Sequence, residues 1–308
     1  DSLMKPSPRH ATPRSRSRRA FSLIELMVVV TIIGLLAGIT IPVIQSIQSQ
    51  GRAVTELSAA RAAAGGWRTF AEERDGELLK GYYPDSTPSN EPLYDFEGRL
   101  IPSGPTQQRW FWRLTQYVND PRSVFFPNSL ETLRRQVIDT GDNYQYTATL
   151  YPAMGLNGEW IGGLGEELGN ELYALYEYGG LTECPYARRI SDIKSPSSLM
   201  LFSSARYGST EDNSDVGASF PGIIQGFYRI TSPVSPRNGF RWPVDENGST
   251  IATMTDKPVD HGYVSARHSN KAVTAMVDGS TQLQTIGDLA DMRRWADQAW
   301  KADWQLMP

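Results

Sequence analysis

From Phe21 to Ile44 the chain reads FSLIELMVVVTIIGLLAGITIPVI, an apolar run in which Glu25 is the only ionisable residue. As a helix, Leu26 to Ile44 rises ~28 Å, close to the ~30 Å hydrocarbon core of a bilayer. The pattern predicts a membrane-spanning segment over about residues 21–44. Beyond Pro42, apolar residues recur at helical spacing: Ile44, Ile47, Val54, Leu57, Ala64, Trp67, Phe70 and Ala71. Gln45, Gln48, Arg52, Glu56 and Arg68 mostly fall on the other faces. The same helix therefore continues outward, ~80 Å from Phe21 to about Arg74, and Asp75-Gly76 ends it. Such a helix needs a folded domain packed on its distal half.

The remainder alternates between loop and regular pattern. Gly81 to Pro105 holds five prolines among polar residues and reads as an extended loop. Gln108 to Val118 and Leu130 to Ile138 carry short amphipathic helical patterns. Tyr144 to Tyr151 alternates as a strand, with Tyr144, Tyr146, Ala148 and Leu150 on one face. Further strands are expected over Ser198–Ser203, Ile223–Ile230, His261–Ala266, Ala272–Val277 and Thr281–Ile286, with loops such as Gly155–Gly169 and Arg206–Gly222 between them. Asp278-Gly279 lies between the last two strands and suits a two-residue type I′ hairpin turn, in which both central residues take positive φ. Trp295, Trp300 and Trp304, spaced five and four apart, fit a terminal helix packed on the domain. The fold class is α+β, a long N-terminal helix on an antiparallel sheet with long loops.

Composition narrows the chemistry. The 308 residues are 40% hydrophobic, ordinary for a globular protein, and contain a single cysteine, Cys184, which excludes an intrachain disulfide framework and multi-cysteine metal sites. Six basic residues against Asp1 put about +5 on residues 1–20 and leave about −9 on the rest of a chain whose net charge is −4. An acidic body argues against nucleic acid as a partner. A basic cluster directly before the apolar run is the positive-inside signature, so the N-terminus stays cytoplasmic and everything after about residue 45 is exported.

Glu25 separates an anchor from a cleavable secretory signal, which requires an uninterrupted apolar stretch and a small-residue cleavage site. A carboxylate within the bilayer costs about 2.5–3.5 kcal/mol at a helix centre and less near an end, and so points to function. The stretch Arg19-Ala20-Phe21-Ser22-Leu23-Ile24-Glu25-Leu26, followed by an apolar helix, resembles the class III signal of type IV pilins and pseudopilins. The resemblance implies a pilin-like fold, cleavage by a prepilin peptidase between Ala20 and Phe21, and N-methylation of Phe21. It implies assembly through Glu25, which meets the new amine of a neighbouring subunit. It also implies local helix weakening at Gly34 and Pro42. The family usually has Gly before the cut, where this chain has Ala20. The expected organisation is a leader over 1–20, an assembly helix over 21–75 and an exported head over 76–308.

His268 followed after nine residues by Asp278-Gly279 is similar to the H-x9-DG pseudopilin group, as is the segment from Ile193 to Phe202. Ten residues of extended strand separate His268 from Asp278 by up to ~33 Å, so they form no direct pair within a straight strand. No HExxH, GxSxG or P-loop pattern accompanies the histidines, and no catalytic residue is assigned. The acidic loops Asp139–Asn143, Glu211–Asp215 and Asp245–Gly248 lack the spacing of an EF-hand, so no metal residue or cofactor is assigned and calcium stays open. The implied partners are the prepilin peptidase, other pilin or pseudopilin subunits and an inner-membrane assembly platform, for a single-pass inner-membrane protein that is not an enzyme. The alternative is a membrane-anchored exported carbohydrate-binding module or enzyme using the aromatic and acidic loops.

Overall fold

The computed structural model describes residues 22–83, 92–127, 144–164, 185–207, 226–235, 240–245 and 258–306. The apolar run and the stripe after it form one helix, α1 (Leu23–Glu72), with Pro42 inside it. Its distal part buries Ala53, Ala59, Ala60, Ala63, Ala64, Trp67, Phe70 and Ala71, whereas Ile44, Ile47 and Val54, expected on the same stripe, are exposed. The end comes where the Asp-Gly signal places it. Asp75 and Gly76 both take positive φ, 51° and 83°, and the Gly76 amide donates back to the Ala71 carbonyl at 2.8 Å. Contact density divides the chain into two units, residues 1–48 and 49–308.

The second unit is built on a four-stranded antiparallel sheet in the order β1 (Met154–Leu156), β2 (Met200–Ser204), β3 (Lys271–Met276), β4 (Thr281–Thr285). All of β2 is buried, and so is β3 after Lys271, so both sheet faces are covered there. Short helix α2 (Pro105–Gln108) is followed by Trp110, α3 (Phe111–Thr115) and α4 (Pro121–Phe125), which bring aromatic rings to the core. Trp110 meets Phe202 of β2 at 5.5 Å and Phe125 at 5.6 Å, and Phe111 meets Phe125 edge-on at 5.2 Å. Asn157, wholly buried, donates to the carbonyls of Met200 and Trp295, each at 2.9 Å, and so ties β2 to the C-terminal segment.

Several expectations change. Tyr144–Leu150 is a helix, α5, and not a strand. The 4-residue spacing of Tyr144 and Ala148, with Thr147 beside them, buries a helical face, and the Tyr144 hydroxyl donates to the Asp95 carboxylate. The helix expected over 108–118 is broken in two, because Arg109 takes an extended conformation and bridges to Tyr82. His261–Ala266 is no strand: Gly262 and Tyr263 both have positive φ, and only Val264 bridges, to Ala205. A Cβ on Gly262 would lie 1.9 Å from the Thr231 carbonyl oxygen, so this turn requires glycine. Within 223–230, residues 226–230 are described and contribute a single parallel bridge, Arg229 to Leu156. The expected loop 155–169 begins inside β1, and 165–169 lie outside the described residues.

The C-terminal tryptophans do not share a helix. After α6 (Ile286–Leu289) comes a 3-10 turn, Met292–Arg294, and the chain then folds back so that the Met292 amide donates to the Ala302 carbonyl at 2.9 Å. Trp295 is buried, Trp304 packs on Trp160 at 5.6 Å, and Trp300 is 74% exposed. The expected helix 130–138 and the acidic loops 139–143 and 211–215 lie outside the described residues.

Candidate functional site

The functional candidates lie on α1 and on the β3–β4 hairpin. Ala20 and Phe21 lie outside the described residues. Glu25 is exposed in the first turn of α1, where Oε2 accepts a 2.9 Å hydrogen bond from the Ser22 amide. That bond satisfies one of the amides a helix start leaves unpaired. α1 runs without interruption through Gly34 and Pro42, and space is open around Gly34. Among the described residues this is the one helix long and apolar enough to cross a membrane, and every large hydrophobic residue from Leu23 to Ile47 is exposed.

The hairpin motif takes a different form from the one expected. Asp278-Gly279 does not make a two-residue turn. The loop has three residues, Val277 to Gly279, with the Gly279 amide donating to the Met276 carbonyl at 2.9 Å and the Met276 amide to the Ser280 carbonyl at 2.8 Å. Only Gly279 has positive φ, 87°, which is the signature of a type I turn closed by a glycine bulge. Asp278 accepts from the Ser280 amide at 2.8 Å, and hydrogen bonding from Ser280 holds its carboxyl below the ordinary range. The tight two-residue turn sits at the other end of β3. His268 and Lys271 exchange both backbone bonds, at 3.1 and 3.0 Å, around Ser269 and Asn270, whose φ values are 51° and 63°.

That turn delivers His268 to a partner the sequence pattern did not single out. Glu56 of α1 is 0% exposed, not on an outward face. His268 Nε2 lies 2.8 Å from Glu56 Oε2, Arg267 Nε donates to the same oxygen at 3.0 Å, and Arg267 Nη2 donates to Oε1. The guanidinium also donates to the carbonyls of Ala205 and Ala153, both at 2.9 Å. Ala153 and Ala205 flank the paired ends of β1 and β2, so Arg267 joins helix, two strands and hairpin through four of its five N–H groups. Burial pushes the Glu56 carboxyl up, but the Arg267 charge and the hydrogen bonds from His268 and Arg267 outweigh it, and the group titrates below its ordinary 4.5.

A sequence signal for this cluster exists. Glu56 falls on the helical stripe of Ala53, Ala60, Ala63 and Trp67, an acid inside an apolar face, and Arg267-His268 directly precedes the hairpin. His268 and Asp278 stand at opposite ends of β3 and are not brought together. Among the described residues no three His, Cys, Asp or Glu side chains gather as metal ligands. Trp67, Trp110, Trp112 and Trp295 are fully buried core residues.

Residues 15–41 match the family model of the prokaryotic N-terminal methylation motif. The match takes in Ala20, Phe21, Glu25 and Gly34 and stops one residue short of Pro42. It gives the N-terminal segment its class: pilin-like, of the kind a prepilin peptidase processes. Comparison with curated proteins and with solved structures gives no match.

Proposed function

We propose that the chain is a structural subunit of a type IV pilin-like filament, a pseudopilin of a type II secretion or type IV pilus-like system and a member of the H-x9-DG group. The reading rests on one coincidence: the methylation motif runs into the exposed apolar half of α1, where Glu25 is the lone ionisable residue between Phe21 and Ile44. The peptidase cuts between Ala20 and Phe21 and the new amine is methylated. The chain is then a single-pass inner-membrane protein with a cytoplasmic N-terminus and an exported head. Its partners are the peptidase, neighbouring subunits and an inner-membrane assembly platform, and it has no catalytic role of its own.

Cleavage gives Glu25 its task. The acid lies four residues, ~6 Å of helix rise, from the amine of Phe21. In a low-dielectric environment an unpaired carboxylate is costly, and a neighbour's α-amine neutralises it. The pairing sets axial register as a subunit joins, while the helix between Gly34 and Pro42 loosens during transfer from the bilayer. Glu25→Ala should leave membrane insertion intact and abolish filament formation, scored by sedimentation of sheared surface material. Filaments at normal yield in that variant contradict the assignment.

A further inference from the structure

Helix α1 carries one buried ionisable residue in its distal part. Arg52, Arg61, Arg68 and Glu72 are exposed, and Glu56 alone points inward. Upstream of Trp67 the buried face of α1 consists of Ala53, Ala59, Ala60, Ala63 and Ala64 around that acid, with Gly66 completing it. Alanine methyls are interchangeable. Over 53–64 such a face holds its groove weakly, because no side chain there is large enough to interlock with one position only and the large anchors Trp67 and Phe70 lie beyond it.

Glu56 removes that degeneracy. A slip of one turn, ~5.4 Å along the axis, replaces it opposite Arg267 and His268 either by Ala60 or by the Arg52–Ala53 turn. The first leaves a buried guanidinium facing a methyl group, and the second brings in a like charge. Buried ion pairs are poor sources of net stability and good sources of register, because the misplaced state strands an uncompensated charge. Arg206, whose guanidinium is held below its ordinary range by burial and by Arg267, adds to the positive field that the Glu56 carboxylate offsets.

We propose that Glu56, Arg267 and His268 form a register lock that fixes the alanine-faced part of α1 on the sheet. In this role His268 is a positioning residue for the helix and not a ligand for a substrate or metal. One consequence rests on the filament reading: axial pull on the Glu56 turn of α1 passes through two bonds from Arg267 and the His268 contact, and from Arg267 to β1 and β2 through its bonds to Ala153 and Ala205.

The test is hydrogen exchange by mass spectrometry on the full chain dispersed in detergent micelles, comparing amides of 53–64 with those of β3. In Glu56→Gln the amides of 53–64 exchange about tenfold faster while those of β3 are accelerated markedly less, since the helix is released ahead of the sheet. His268→Gln gives a smaller acceleration confined to the same segment, and the double variant exchanges no faster than Glu56→Gln alone. Unchanged exchange in Glu56→Gln overturns the lock, as does equal acceleration in 53–64 and β3, or additivity in the double variant. If Glu56→Gln fails to fold, His268→Gln, which keeps all four Arg267 donors, carries the same comparison. The measurement is made on dispersed chains, so filaments that persist in Glu25→Ala sink the assembly reading and leave this result standing.

Discussion

Glu56 and Glu159 are both buried glutamates, yet their surroundings drive them in opposite directions. Glu56 has a guanidinium and an imidazole on its oxygens and titrates low. Glu159 accepts from the Ser232 amide at 3.2 Å, the Ser232 hydroxyl at 3.1 Å and the Ser235 hydroxyl at 2.8 Å, and burial keeps its carboxyl above the ordinary range despite them. Substitution by glutamine should therefore separate the two. Glu56→Gln leaves the Arg267 guanidinium without its counter-charge and should cost about 1–2 kcal/mol, whereas Glu159→Gln removes a charge that burial penalises and should change stability by less than about 1 kcal/mol. Thermal unfolding of the full chain in micelles at neutral pH checks both. A carboxyl whose folded value is depressed contributes stability above its unfolded value of 4.5 and loses it as pH falls through the folded value. Wild type should lose stability on acidification below about pH 4.5, and Glu56→Gln should lack that component.

At the scale of elements, the helix and the hairpin each depend on a glycine for a different reason. In α1, a Cβ on Gly66 would lie 2.5 Å from Val118 Cγ2 and 3.0 Å from the Tyr117 carbonyl oxygen. Gly66→Ala gains about 1 kcal/mol of helix propensity and costs about 1–3 kcal/mol in overpacking, so a net loss is expected in chemical unfolding. In the hairpin no atom lies within 4 Å of a Cβ on Gly279, but its φ is 87°. Gly279→Ala should cost about 1–2 kcal/mol from backbone conformation alone. The local parts of these elements were legible in the sequence. The apolar stripe, the Asp75-Gly76 stop and the strands β2, β3 and β4 each follow from patterns a few residues long. The turn at Asp278-Gly279 was placed correctly and its geometry was not, because Gly279 alone takes the left-handed conformation and Val277 joins the loop. Tyr144–Leu150 satisfies both an alternating and a helical pattern, and burial of Tyr144 with Ala148 decided for the helix. Three-residue β1 is too short to carry a period.

At the scale of the molecule, the hidden part of the site is the long-range part. Glu56 and Arg267 are 211 residues apart in sequence, and nothing in a single chain links an acid on a helix to an Arg-His pair at its far end. The N-terminal segment behaves differently, since its signals are contiguous: Arg16, Arg18 and Arg19 of the basic flank, Ala20-Phe21, Glu25 and most of the apolar run occupy the stretch the methylation motif matches. The account of the whole chain as a filament subunit turns on what happens to that stretch. Intact mass measurement of the chain purified from its native membrane tests this most directly. A mature chain beginning at Phe21 and carrying one additional methyl group on its amine is the predicted result. A chain that retains the residues before Phe21, or one that begins beyond residue 40, contradicts it.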